Sequence, residues 1–138
     1  MMHQSVKDIQ HSIKINKPIE QVWENISTAR SLSKWFMPND LVAQTGCVFH
    51  IQSPFGPSPC TVLNVQPERE LSFSWDEDGW IVTFSLTPLN DLTLFTVTHS
   101  GWKNADDLVP KANQPQGRVR NFMDQGWDGM LQKLKATF

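Results

Sequence analysis

Five short segments in which apolar and polar residues alternate follow one another with only turns between them: Cys47 to Ser53, Cys60 to Gln66, Leu71 to Trp75, Trp80 to Leu86 and Leu92 to Gly101. Period-two alternation marks a half-buried strand. The joints are PFGPSP at Pro54 to Pro59, PERE at Pro67 to Glu70, DEDG at Asp76 to Gly79 and PLND at Pro88 to Asp91. They are rich in turn formers and too short to carry a crossover helix, so parallel pairing is excluded and an antiparallel meander is predicted. Its tightest hairpin is expected at Pro88 to Asp91.

A strand also precedes this block, because Ile9, Ile13 and Ile15 alternate with polar residues between Val6 and Ile15. Asn16 and Pro18 then signal a short helix in which Ile19, Val22, Trp23 and Ile26 share a face, with Glu20 and Glu24 near its positive end. Thr28 is placed to cap a second one carrying Leu32, Trp35 and Phe36, before Pro38 forces an exit. Residues 101–116 show no period and contain Pro110 and Pro115, which predicts a surface loop. From Pro115 onward Val119, Phe122, Met123, Gly126, Trp127, Met130, Leu131, Leu134 and Phe138 recur at three and four, the pattern of a long amphipathic helix. Lys133 and Lys135 suit its negative end, whereas Arg118 and Arg120 oppose the dipole at its start.

The order strand, two helices, five strands, long helix predicts an α+β domain spanning 1–138, in which a curved antiparallel sheet of about six strands grips the terminal helix. At 138 residues the chain can bury roughly two-thirds of its extended surface and needs neither disulfides nor a structural metal. Only 39% of its residues are hydrophobic, yet it carries six Trp and eight Phe with no Tyr, so large flat side chains must fill much of the interior. Gly126 and Gly129 thin the long helix where Met123 and Met130 offer adaptable side chains. Close packing of helix on sheet and a cavity between them are both readings of that glycine pair.

Twelve basic and 14 acidic residues give a net charge of −2, and the basic ones are scattered, so no nucleic-acid footprint is present. The start lacks a secretory signature and no apolar run reaches the length of a membrane span, which predicts a cytoplasmic protein with no membrane partner. If the Pro/Gly-rich joint closes near Gly56, Cys47 falls opposite about Gln66 and Cys60 opposite about Ser53, leaving two free thiols.

The order and spacing of four stretches resemble the START-like, helix-grip superfamily, in the branch of homologues of the activator of the 90-kDa heat-shock protein ATPase. These are INKPIEQVW from Ile15 to Trp23, SKWFMP from Ser33 to Pro38, TLFTVTHSGW from Thr93 to Trp102 and GWDGMLQKL from Gly126 to Leu134. The resemblance spans nearly the whole chain. It implies a single domain with a hydrophobic cavity between sheet and C-terminal helix, and little about chemistry, because relatives include lipid carriers, hormone receptors and polyketide cyclases. The separate N-terminal domain of the eukaryotic chaperone activators has no counterpart in these residues, which puts chaperone stimulation in doubt.

Phe95, Val97 and His99 alternate onto one face of the last strand, and the family pattern turns that face inward. His99 is then either a ligand-binding or acid–base group, or a structural histidine bonded to a backbone carbonyl at the strand end. His50 should face solvent, and His3 and His11 lie near the terminus. No metal-ligand spacing, nucleophile elbow or phosphate loop occurs, so no catalytic residue, metal or cofactor is assigned. The turn Asp76 to Asp78 reads either as a carboxylate at a cavity mouth or as a solvated hairpin tip. Trp23, Phe73 and Phe84 are needed to exclude water.

Trp35, Phe36, Trp75, Trp80, Phe84, Val97, His99, Trp102, Met123, Trp127 and Met130 are the candidate ligand-binding residues. The expected function is binding of a small apolar or aromatic molecule, for which about 300 Å² of buried apolar surface supplies on the order of 7 kcal/mol before entropy losses. A cyclase or hydrolase using His99 with a carboxylate near Asp76 is one alternative. A protein-interaction module is another, either a chaperone partner or a homodimer built on aromatics such as Phe55.

Overall fold

A computed structural model describes residues 6–53, 56–76 and 79–138. The elements run β1 (Ile9–Ile15), α1 (Ile19–Ile26), α2 (Ala29–Leu32), β2 (Val48–Ser53), β3 (Gly56–Gln66), β4 (Glu70–Trp75), β5 (Trp80–Leu89), β6 (Leu92–Ser100), β7 (Leu108–Val109), β8 (Gln114–Pro115) and α3 (Gln116–Ala136). The first six strands form one antiparallel sheet in the order β1-β6-β5-β4-β3-β2, so the meander is intact and β1 adds to its far side against β6. This is the helix-grip arrangement expected from the order of elements.

Alternation along each strand turns one face onto α3. Phe49 and Ile51 of β2, Cys60 and Val62 of β3, Phe73 and Trp75 of β4, Val82 and Phe84 of β5, and Phe95, Val97 and His99 of β6 are all buried on it. From α3 come Val119, Trp127, Leu131 and Leu134. At the cap of α2 the Thr28 hydroxyl accepts from the Ser31 N–H, as its position predicts. The Trp35 indole then donates to the Asn25 carbonyl at 3.0 Å and locks the two short helices against the core. Trp23 is only partly buried, at the edge of that core. Arg120, unfavourable to the helix dipole, is compensated by donating to the carbonyls of Lys7 (3.2 Å) and Asp8 (3.2 Å), and so ties α3 to the segment entering β1.

Two sequence expectations need correction. The hairpin after β2 closes with Ser53 opposite Gly56, so Gly56 to Pro59 belong to β3 and not to a loop. Cys60 consequently faces Phe49, and Cys47 precedes β2 and accepts from the Val62 N–H. Both thiols are free, as predicted, although the register differs by four residues from the one assumed. Prolines are tolerated at 57 and 59 because β4 ends opposite Cys60, leaving that stretch of β3 with a strand on one side only. Phe55, named for an interaction surface, lies outside the described residues, as do His3, Glu77 and Asp78.

The second correction concerns residues 101–116. They are an ordered flap: β7 pairs with β8, and the Gln116 and Gly117 N–H groups donate to the carbonyls of Asp107 (2.7 Å) and Ala105 (3.0 Å). Trp102, Val109 and Gln116 are its buried residues. The flap starts at Gly101, with φ of +88°, where an added Cβ would stand 2.0 Å from the Gly79 carbonyl oxygen; only glycine fits so close a backbone approach.

Candidate functional site

At the end of the sheet where β4 passes into β5, helix and sheet do not meet, and a cavity of about 200 Å³ lies between them. Trp75 and Trp80 form its sheet side, while Val119, Phe122, Met123, Gly126 and Met130 line it from α3. Met37 closes it from the segment after α2, Val109, Lys111 and Ala112 from the flap, and Ser53, Ser58 and Asp76 from the strand ends. The wall is mostly apolar. A Cβ added at Gly126 would meet nothing within 4 Å, so this glycine leaves space where a side chain would project. Gly129 also has nothing within 4 Å but does not line the cavity. Close packing of the helix is therefore not what either glycine serves.

Of the candidates nominated from sequence, Trp75, Trp80, Met123 and Met130 stand in the cavity wall. Trp35, Phe36, Phe84, Val97, His99, Trp102 and Trp127 lie instead in the packed interior beside it. Their rings fill one another's space: Phe36 stacks on Trp127 with centroids 5.4 Å apart, and Trp35 meets Phe84 and Phe95 at 5.6 and 5.8 Å. Phe84, Val97 and His99 share the inward face of the sheet with Trp75 and Trp80, but the cavity lies beside the last two.

His99 is enclosed by Trp75, Trp80, Trp102 and Trp127, with ring centroids 5.5, 4.9, 4.7 and 6.1 Å away. Burial pushes its imidazole down to about 3, so it is neutral at physiological pH. The Trp127 indole N–H donates to its Nδ1 at 3.0 Å, and the Trp102 indole donates to its backbone carbonyl at 3.0 Å. The imidazole is thus held by an indole and not, as one sequence reading had it, by a backbone carbonyl. A neutral histidine with an occupied Nδ1 has no proton to give at neutral pH from that atom and no acid–base partner there.

The polar end of the cavity is made by a residue that sequence reasoning passed over. Lys111 Nζ donates to the Pro57 carbonyl at 2.6 Å, the Ser58 hydroxyl at 2.9 Å and Asp76 Oδ1 at 3.1 Å, while Ser58 donates to Asp76 Oδ2 at 3.1 Å. Asp76 is therefore a paired carboxylate at the cavity and not a solvated turn residue. Lys111 had no sequence signal, coming from an aperiodic segment 35 residues from its carboxylate. Cys60, bonded through its thiol to the Ser58 carbonyl, is pushed by burial up to about 12 and is no nucleophile. Among the described residues no group of three or more His, Cys, Asp or Glu side chains is placed to hold a metal ion. No helix among them is long and apolar enough to cross a membrane.

A model of the family described as activator of Hsp90 ATPase homolog 1-like protein matches residues 16–138. Curated proteins give no match to the sequence. Among solved structures the fold is similar to the solution structure of Bacillus halodurans protein BH1534, 48% identical over 98% of both chains with a TM-score of 0.89. It is also similar to the crystal structure of Mesorhizobium loti protein MLL2253, with 26% identity over 94% of this chain and 95% of that one and a TM-score of 0.79. The solution structure of the Aha1 dimer from Colwellia psychrerythraea shares the fold at 18% identity, 94% coverage of each chain and a TM-score of 0.72.

Proposed function

The chain belongs to the activator of Hsp90 ATPase homolog 1-like family, and from that premise we propose that it binds a small apolar or aromatic molecule between the sheet and α3. The observation that carries this reading is the cavity itself. Gly126 adds no side chain to its wall, and the cavity is bounded by two tryptophans and by methionines that adapt to a guest. An apolar cavity of roughly 150 Å³ in another protein takes up benzene. About 200 Å³ therefore suits one substituted ring, or two small fused rings, on the order of ten heavy atoms. The sealed, neutral His99 supports a binding role over acid–base catalysis by that residue.

The test is native mass spectrometry of the protein purified from its own host, followed by extraction and identification of what it carries. A retained apolar compound of about this size is the expected result. A ligand-free mass, together with no change in tryptophan emission across a panel of one- and two-ring compounds, would contradict the proposal.

A further inference from the structure

Three buried N–H donors lie in or just behind the cavity wall, closed off from its open space and with nothing to donate to. The indole Nε1 of Trp75 and the indole Nε1 of Trp80 are buried and have no hydrogen-bond partner among the described residues. The third follows from chemistry. Indole nitrogen only donates, so the Trp127 N–H at 3.0 Å requires Nδ1 of His99 to be the acceptor. The proton of the neutral ring then sits on Nε2, and that atom too is buried without a partner.

The shortage is local. Away from the cavity wall, the buried indoles of Trp35, Trp102 and Trp127 each reach an acceptor at 3.0 Å. Among the buried side chains of the described residues, only the two tryptophans that line the cavity, and the histidine stacked against one of them, lack a partner. A buried donor left unpaired is unfavourable, so an acceptor that reaches these groups recovers what the empty site loses. Met37, Met123 and Met130, flexible thioethers in the same wall, can yield to let it approach.

We infer that the guest is a one- or two-ring apolar molecule carrying an uncharged acceptor oxygen, such as a ketone or lactone carbonyl, received by the indole N–H groups of Trp75 and Trp80. The inference rests on the proposed binding function and specifies its ligand class. The three orphan groups are donors, so a guest whose polar group only donates gains nothing from them. A carboxylate would lack a free counter-charge, since the cation in the wall, Lys111, is already shared among Asp76, Ser58 and the Pro57 carbonyl.

The probes are 1-indanone and indane, which share shape and differ by the carbonyl oxygen. Calorimetric titration is expected to give at least tenfold tighter binding of indanone. The indole N–H proton resonances of Trp75 and Trp80 in the unaltered chain should move downfield with indanone alone. Trp80→Phe should shrink the preference while indane still binds. Equal affinities with unmoved N–H signals would overturn the inference and leave the binding function standing, the N–H groups then being directed at neighbouring ring faces. Tighter binding of indane-1-carboxylate than of indanone would overturn the uncharged character. If neither indanone nor indane binds, the proposed binding function falls, and this inference with it.

Discussion

The indole N–H of Trp127 donates to Nδ1 of His99 across 3.0 Å, joining the middle of α3 to the end of β6 inside a box of tryptophan rings. This bond fixes the tautomer of the histidine, and the surrounding apolar rings fix its charge. In the unfolded chain this imidazole titrates near 6.5, and in the fold near 3. Between those values the unfolded state takes up a proton that the folded state refuses. The stability contributed by the neutral ring is thus complete above about pH 7 and falls as pH drops from about 6.5 toward 3, by about 1.4 kcal/mol per unit. In urea denaturation the stability gap between the wild type and His99→Gln should therefore narrow over that window and stay constant above pH 7. A gap independent of pH between 4 and 7 would contradict the buried, neutral assignment.

The two helix glycines make a matched pair. Neither has a neighbour within 4 Å of an added Cβ, so Gly126→Ala and Gly129→Ala should each stabilise the fold by about 0.5–1 kcal/mol, the ordinary gain of alanine over glycine in a helix. Only Gly126 faces the cavity. Thermal denaturation should rank the two alike, and calorimetry with an apolar guest should separate them.

Lys111 pins the flap to the start of β3 and to Asp76 at the end of β4 through three acceptors. Because the Lys111–Asp76 pair is partly exposed, its loss costs little globally, on the order of 1 kcal/mol. The local effect is larger: Lys111→Met should speed amide hydrogen exchange at Gln116 and Gly117, whose N–H groups hold the flap closed, without changing exchange in β5 or β6. Unchanged protection at both amides would mean that β7 and β8 hold the flap without the lysine.

The two thiols should behave differently. Cys47 is half-exposed and should react with a soluble thiol reagent in the native protein, whereas Cys60, sealed and held up to about 12, should react only on unfolding. One fast equivalent by mass is the expected outcome.

Much of this architecture is written in periodicity. Ile9 with Ile15, Phe73 with Trp75, and Phe95 with Val97 and His99 announce inward strand faces, and the apolar positions from Val119 to Leu134 announce α3. Periodicity identifies a face but not where along it two elements part. Trp80 in the cavity wall and Phe84 in the core lie on the same side of one strand, so the sequence does not separate them. The β2–β3 register differs from the sequence expectation because Pro57 and Pro59 look like a loop, although the first four residues of β3, Gly56 to Pro59, have no β4 partner and so tolerate proline. The flap was illegible for a different reason. Its strands are two residues long, and its contribution to the site, Lys111, is fixed by contacts with residues 35 to 54 positions away.

Filling the cavity tests the central claim most directly. Gly126→Leu adds a bulky side chain to a cavity wall shared with Trp75, Trp80 and Met130, at a position where an added Cβ meets nothing within 4 Å. Titration of the wild type and this variant with indanone, followed by tryptophan emission, should show saturable binding to the first and at least a tenfold loss in the second, with the variant folded by circular dichroism. Equal affinity of a folded Gly126→Leu variant would show that the guest sits elsewhere and would contradict the account.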